Sequence, residues 1–254
     1  MDRISATIIT RNEEAQIERC LESLKGVVDE IIVVDSYSID RTTEICRRYG
    51  CKITARAFTG YGIQRQYAVG LTTFPYVLSI DADEVLSPEL REAIIAMKNE
   101  GFEDNIYSLK IINYYCGRPV MHSGWKPVTQ VRLFNKRYAN WNLVDLAERV
   151  TFPNSLMPKV LPGYINHYRC NSSKELVNKE MRHSVIFGRI LASQSRRISP
   201  VTPVLRASMT FMRCHILDGA LLDGFCGMEI AKNKFMTTLN SYRVARGIIK
   251  KRKS

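Results

Sequence analysis

Val77-Leu78-Ser79-Ile80-Asp81-Ala82-Asp83-Glu84 sets a short strand-forming run directly against a cluster of acids. Two carboxylates at i and i+2 behind such a strand cannot both enter a core uncompensated. Set at the strand's end, they can hold a divalent metal that bridges phosphates, because Mg²⁺ and Mn²⁺ favour oxygen ligands and keep waters plus substrate phosphate. Ser87-Pro88-Glu89 follows as a helix start, with a cap, a proline in the first turn and an acid near the positive end.

Upstream, Ile4 to Ile9 reads as a first strand, and Thr10-Arg11-Asn12-Glu13 offers a Thr-x-x-Glu capping box. Ile17, Cys20, Leu21 and Leu24 recur at helical spacing. Ile31-Ile32-Val33-Val34 is wholly apolar, as a buried parallel strand is, and ends at Asp35. Asp40 is placed to cap a helix through Tyr49 that Gly50 stops. Cys51 to Ala55 is a third strand, and Gly60-Tyr61-Gly62 leads into a helix through about Leu71. This alternation predicts an α/β fold, a mostly parallel sheet with helices on both faces. Ligands of such sheets sit at the carboxyl ends of the strands, where Asp35 and Asp81 to Asp83 stand.

Beyond residue 104 the pattern changes. Ile106 to Ile112 and Gln130 to Phe134 read as strands, joined by a stretch containing Gly117, Pro119, Gly124 and Pro127, of a mixed-sheet extension expected to cover an acceptor site. From Ser173 the chain reads as helical, with a break at Pro200 and Pro203. Glycine and proline, at 14 and 9 of 254 residues, exclude collagen-like and disordered classes. No apolar run reaches transmembrane length, and Met1-Asp2-Arg3-Ile4 starts no signal core, so a cytoplasmic protein is expected. Seven cysteines without metal-ligand spacing fit reduced thiols. The four histidines are far apart, which predicts no histidine metal site.

Charge divides the chain. Residues 1–150 carry 19 Lys/Arg against 20 Asp/Glu, whereas residues 151–254 carry 18 against 5. The whole excess therefore belongs to the C-terminal region, which suits a polyanion: an anionic membrane face or a nucleic acid. The plainer reading is a solvated helical surface with a disordered tail at Lys250-Lys251-Arg252-Lys253.

Several residues carry two readings. Asp35 can accept from a nucleobase N–H or hold its own loop. Arg11 and Arg65 can face a phosphate or solvent. Glu148 can act as a general base toward an acceptor hydroxyl, with Asp145 as its rival, or both can be loop carboxylates near Arg149. Trp125 and Trp141 can stack on sugar faces or pack in a core.

Ile8 to Glu14, Ile32 to Ser36 with Asp40-Arg41-Thr42, and Leu78 to Glu84 together resemble family 2 glycosyltransferases of the GT-A fold. Gly124-Trp125, Gln130 to Phe134, Glu148-Arg149-Val150 and Leu222-Asp223-Gly224 with Gly227 resemble the subset that builds lipopolysaccharide inner core, the beta-1,4-glucosyltransferase type. The resemblance implies a nucleotide-sugar-binding half over 1–104 and an acceptor-binding half over 105–170, followed by a helical, basic region over 171–254 whose charge and apolar-basic segments such as Val204-Leu205-Arg206 and Met209 to Arg213 suit a membrane face. It implies an inverting transfer from a nucleotide-diphosphate sugar, UDP-linked, to a glycolipid or saccharide acceptor, with a divalent metal. Thr10, Arg11, Asn12, Glu13, Asp35, Arg65, Asp81 and Ala82 would bind the donor. Asp83 would hold the metal, Glu148 or Asp145 would be the base, and Trp125 and Arg132 would meet the acceptor. A nucleic-acid-binding module would explain the charge but leave the Asp-Ala-Asp loop idle, and no nucleic-acid signature accompanies the tail. A nucleotidyltransferase would need a glycine-rich phosphate loop that the N-terminus lacks.

Overall fold

The structure is a computed structural model that describes residues 2–102, 106–144, 148–195 and 197–252. They form two compact units, residues 1–112 with 128–167, and residues 113–127 with 168–254.

In the first unit, strands β1 (Ile4–Thr10), β2 (Glu30–Asp35), β3 (Lys52–Ala55) and β4 (Tyr76–Ser79) alternate with helices α1 (Ile17–Leu24), α2 (Thr42–Arg48) and α3 (Tyr61–Gly70). They form the parallel part of the sheet, in the order β3-β2-β1-β4. After β5 (Glu84–Leu86) and α4 (Pro88–Glu100) comes β6 (Ile106–Tyr115). A short β7 (Arg118–Pro119) pairs antiparallel with the end of β6. The chain continues through β8 (Val128–Asn135), β9 (Asn140–Trp141), β10 (Val150–Thr151) and β11 (Lys159–Cys170). The sheet thereby extends to β3-β2-β1-β4-β8-β6-β11-β5, and β8 joins β4 antiparallel. The fold class is the expected one, but the antiparallel share of the sheet is larger than the first hundred residues suggest.

Period-2 alternation sets the two faces. Ile4, Ala6, Ile8, Val33 and Leu78 point to one side, where Ile17 and Leu21 of α1 and Leu90 and Ile94 of α4 meet them. Val77, one residue from Leu78, points the other way and packs with Val69 of α3, Ile106, Phe134 and Trp141. The Ser87 hydroxyl accepts from the Leu90 N–H and Pro88 occupies the first turn, so α4 starts where its sequence directs.

Two local expectations fail. The Thr10–Glu13 capping box does not form: Thr10 closes β1 with its hydroxyl buried, and α1 starts only at Ile17 without a side-chain cap. Residues 12–14 are instead tied to the loop after β2, with the Glu13 N–H bonded to Thr42 Oγ1 and the Glu14 N–H to Asp40. Asp40 also accepts from the Thr42 N–H, so it shapes the entry to α2 from one residue outside the cap.

The second unit is mainly α5 (Ser173–Gln194), α6 (Thr202–Ile216), a 3₁₀ turn (Ala220–Asp223) and α7 (Gly224–Lys251). Gly188 allows α5 to cross α7 closely, since a Cβ there would lie 2.7 Å from Val244. Asp223 accepts from the Met121 and His122 N–H groups and the Ser123 hydroxyl. That ties the 121–123 turn to the start of α7 through the aspartate of Leu222-Asp223-Gly224. The basic tail is not wholly disordered: α7 continues through Lys250 and Lys251. Among the described residues no helix is long and apolar enough to cross a membrane.

Candidate active site

The site lies in the first unit, at the carboxyl ends of β1, β2 and β4. Register places Thr10 beside Asp35, and Ser79 beside Thr7 on the other flank of β1. Asp35 is buried, and its carboxylate accepts from the Ser38 N–H at 2.9 Å and the Ser38 hydroxyl at 2.5 Å. The same hydroxyl accepts from the Asn12 N–H at 2.8 Å, and Asn12 Oδ1 accepts from the Ile39 N–H at 2.9 Å. The Arg11–Glu13 loop is thus stitched to the loop after Asp35, with Arg11 exposed. Gln64 of α3, fully buried, donates to Ser36 Oγ and to the Arg56 carbonyl. Among the described residues its Oε1 and the Thr10 hydroxyl have no partner. Buried polar atoms are rarely left so, and these two supply hydrogen-bonding capacity beside Asp35.

The second half is a charge network. Arg65 of α3 donates through one terminal nitrogen to both Asp81 oxygens, at 2.7 and 2.8 Å, and through the other to Glu148 Oε1 at 3.1 Å. Its guanidinium carbon lies 4.7 Å from the Trp141 ring centre, within cation–π range. The indole N–H of Trp141 donates to Ser79 Oγ, which fixes that ring against β4. Arg132 of β8, also buried, donates to Glu84 at 2.8 Å and stands 3.6 Å from Asp81. Glu84 is fully buried and accepts from the Asp81 N–H at 2.8 Å. Gly62 lets α3 approach closely enough to aim Arg65 inward, because a Cβ there would sit 2.2 Å from the Asn142 carbonyl oxygen.

Asp81 and Glu84 of this network are shifted in opposite senses. Burial by itself would raise the Asp81 carboxyl, but the Arg65 and Arg132 guanidinium groups outweigh it and hold it down at about 2. Burial pushes Glu84 up, against the pull of Arg132. Burial works against the charge on Arg65, yet Asp81 and Glu148 raise its pKa further.

Asp83 is nearly buried, and His167 Nε2 lies 3.3 Å from its Oδ1. The antiparallel register of β11 with β5 causes this by pairing His167 with Glu84. Among the described residues no three His, Cys, Asp or Glu side chains gather as a metal cage. A carboxylate oxygen beside an imidazole nitrogen still fits a Mg²⁺ or Mn²⁺ ion that takes its remaining ligands from a diphosphate and water.

The structure therefore brings Thr10, Asn12, Glu13 and Asp35 into one loop pair, and Arg65, Asp81, Arg132 and Glu148 into one network. Arg65, read from sequence as facing phosphate or solvent, is enclosed by carboxylates. Ala82 is buried between the two acids of its motif. Trp125 lies in the second unit, buried with Tyr115 and Ile230, and Arg169 stacks 4.6 Å from its ring centre. Asp145 lies outside the described residues. Sequence reading missed Gln64, Glu84 and His167. Glu84 adjoins the acidic motif, but the other two carry no local signal.

Residues 5–156 match the family model described as Glycosyl transferase family 2. An uncharacterized glycosyltransferase of Rickettsia typhi (strain ATCC VR-144 / Wilmington) is 31% identical over 237 residues, covering 89% of this chain and 81% of the relative. The lipopolysaccharide core biosynthesis glycosyltransferase LpsC of Rhizobium meliloti (strain 1021) is 25% identical over 251 residues, covering 94% of this chain and 92% of the relative. Among solved structures, glucosyl-3-phosphoglycerate synthase from Mycobacterium tuberculosis with Mn²⁺, UDP-glucose and phosphoglyceric acid aligns over 45% of this chain and 44% of that chain, at 24% identity and a TM-score of 0.35.

Proposed function

Because the chain belongs to glycosyl transferase family 2 and is a glycosyltransferase, we propose that it moves a hexose from a UDP-linked donor to a hydroxyl of a glycolipid acceptor, with inversion. The observation that carries this reading is the convergence of Asp35, Asp81, Asp83 and Glu148 on one end of the sheet, with Arg65 bridging Asp81 and Glu148.

Asp35 accepts from the base N–H, with the Thr10 hydroxyl and Gln64 Oε1 beside it for further polar atoms of the nucleoside. Asp81, kept ionised by its arginines, accepts from ribose hydroxyls. Asp83 and His167 would hold the divalent metal, which would neutralise charge on the departing diphosphate. Glu148 takes the proton of the acceptor hydroxyl. That oxygen forms a bond to the anomeric carbon as the bond from this carbon to the diphosphate oxygen breaks, and the nucleoside diphosphate leaves with the electron pair. One displacement inverts the centre and needs no covalent enzyme intermediate.

The acceptor class is supported by the likeness to LpsC along nearly the whole chain, and Arg132 is its candidate contact in the first unit. An acceptor of this kind sits in a membrane, and the basic C-terminal region gives the chain an electrostatic reason to gather at an anionic, cytoplasmic face.

Calorimetric titration with UDP, UDP-glucose and GDP-mannose, with and without Mn²⁺ and alongside Asp83→Ala, tests the reading. Metal-dependent binding of a uridine nucleotide that the variant loses is the expected result. Equal binding by the variant would overturn the metal assignment of Asp83, and preference for the guanosine nucleotide would overturn the donor assignment.

A further inference from the structure

Five large apolar side chains on α6, Val204, Leu205, Met209, Met212 and Ile216, are each more than half exposed. Their spacing gathers them within an arc of ~140° at about 100° per residue. Pro203, Ala207 and Cys214 occupy the opposite, buried face. Arg206 and Arg213, both exposed, border the apolar stripe. The exposed run continues along the chain through Leu217, Leu221, Leu222 and Phe225, which are 68–77% exposed. Apolar surface on this scale marks an interaction site in a soluble domain.

The charge around it selects the partner. α6 carries Arg206 and Arg213 and no aspartate or glutamate, and of the two aspartates along the continuing run Asp223 is taken up by the Met121–Ser123 turn. A second copy of the chain docked on this face would set Arg206 and Arg213 against their own counterparts. A nucleic acid would take up the arginines and leave the aliphatic stripe in water. An anionic bilayer satisfies both, with acyl chains against the stripe and acidic headgroups against the guanidinium groups.

We propose that the outer face of α6, with the 3₁₀ turn and the start of α7, is a docking surface that lies in the headgroup layer of an anionic membrane. The inference rests on the glycolipid-acceptor reading for its purpose, while its evidence is the face itself. Insertion is shallow and parallel to the surface, since none of the described helices is apolar enough to span.

Vesicle flotation of the full chain tests this, with phosphatidylcholine alone and with phosphatidylcholine mixed with phosphatidylglycerol. The parent is expected to float with the anionic vesicles in preference to the neutral ones. Combined Leu205→Ser, Met212→Ser and Leu222→Ser should weaken that binding about tenfold or more. Combined Arg206→Gln and Arg213→Gln should weaken it about fivefold per charge on anionic vesicles only. All five positions are exposed, so the variants should keep the parent's thermal unfolding. A parent that ignores anionic vesicles, or an apolar variant that floats as the parent does, would overturn the proposal. So would a parental dimer, seen by light scattering, that the apolar variant dissolves. Titration of the same samples with UDP separates the two readings. Nucleotide binding without flotation sinks the docking surface alone, and flotation without binding of any sugar nucleotide sinks the donor reading alone.

Discussion

Arg65 and Glu148, 83 residues apart in sequence, meet at 3.1 Å, and the same guanidinium holds both oxygens of Asp81. One cation thus links the carboxylate assigned to the donor with the one assigned to the acceptor. Replacing Arg65 with alanine should raise the Asp81 pKa above its present value and cost about 3–5 kcal/mol of stability, as removal of one partner of a buried pair does. Lysine should recover only part of this, because an ammonium cannot reproduce the planar fork. Urea unfolding of the two variants measures the cost.

Acid dependence follows from Asp81. Its folded pKa of about 2 lies below the ordinary aspartate value near 3.9. The folded state therefore holds this proton less tightly than the unfolded state. Its stabilising contribution is complete above about pH 4 and fades as pH falls toward 2. In Asp81→Asn the acid limb of stability against pH should be shallower in that window. An unchanged limb would assign the slope to other carboxylates.

Glu148→Gln should lower the transfer rate by about a hundredfold to ten-thousandfold while UDP affinity stays within a fewfold of the parent. Product formation at saturating donor and acceptor reads this. Full activity with donor binding intact would move the base to another carboxylate, Asp145 being the nearest in sequence.

His167→Ala should weaken Mn²⁺-dependent UDP binding and leave metal-free binding unchanged. Titration in the presence of Mn²⁺ and then of a chelator separates the two. An equal loss in both conditions would mean that His167 supports the nucleotide pocket without any part in holding the metal.

Gly62→Ala would put a methyl group 2.2 Å from the Asn142 carbonyl oxygen. The backbone must shift to relieve this, at a cost of about 1–3 kcal/mol typical of overpacking. Since Gly62 lies in the first turn of the helix that carries Arg65, activity should fall further than thermal stability alone accounts for. Parallel measurement of melting temperature and transfer rate checks the disparity.

What the sequence determined by itself is what lies within a few residues of each motif. The apolar run ending at Asp35, the one ending at Asp81, and Ser87-Pro88 opening α4 are set by local periodicity and capping, and all three stand where those patterns predict. The strand-end position of the aspartates was legible for the same reason. Even locally the reading could mislead: Thr10 and Glu13 have capping-box spacing, yet pairing with the neighbouring loop claims that segment first.

The tertiary structure decided which distant groups share the site. His167 reaches Asp83 because β11 runs antiparallel to β5 in a register that pairs His167 with Glu84. Arg132 reaches Glu84 because β8 inserts beside β4. Strand order and register depend on the packing of both sheet faces together, and a one-residue slip would turn each of these side chains to the opposite face. No local pattern encodes that choice, so the Asp83–His167 pair and the buried arginine cage appear only once the chain is folded.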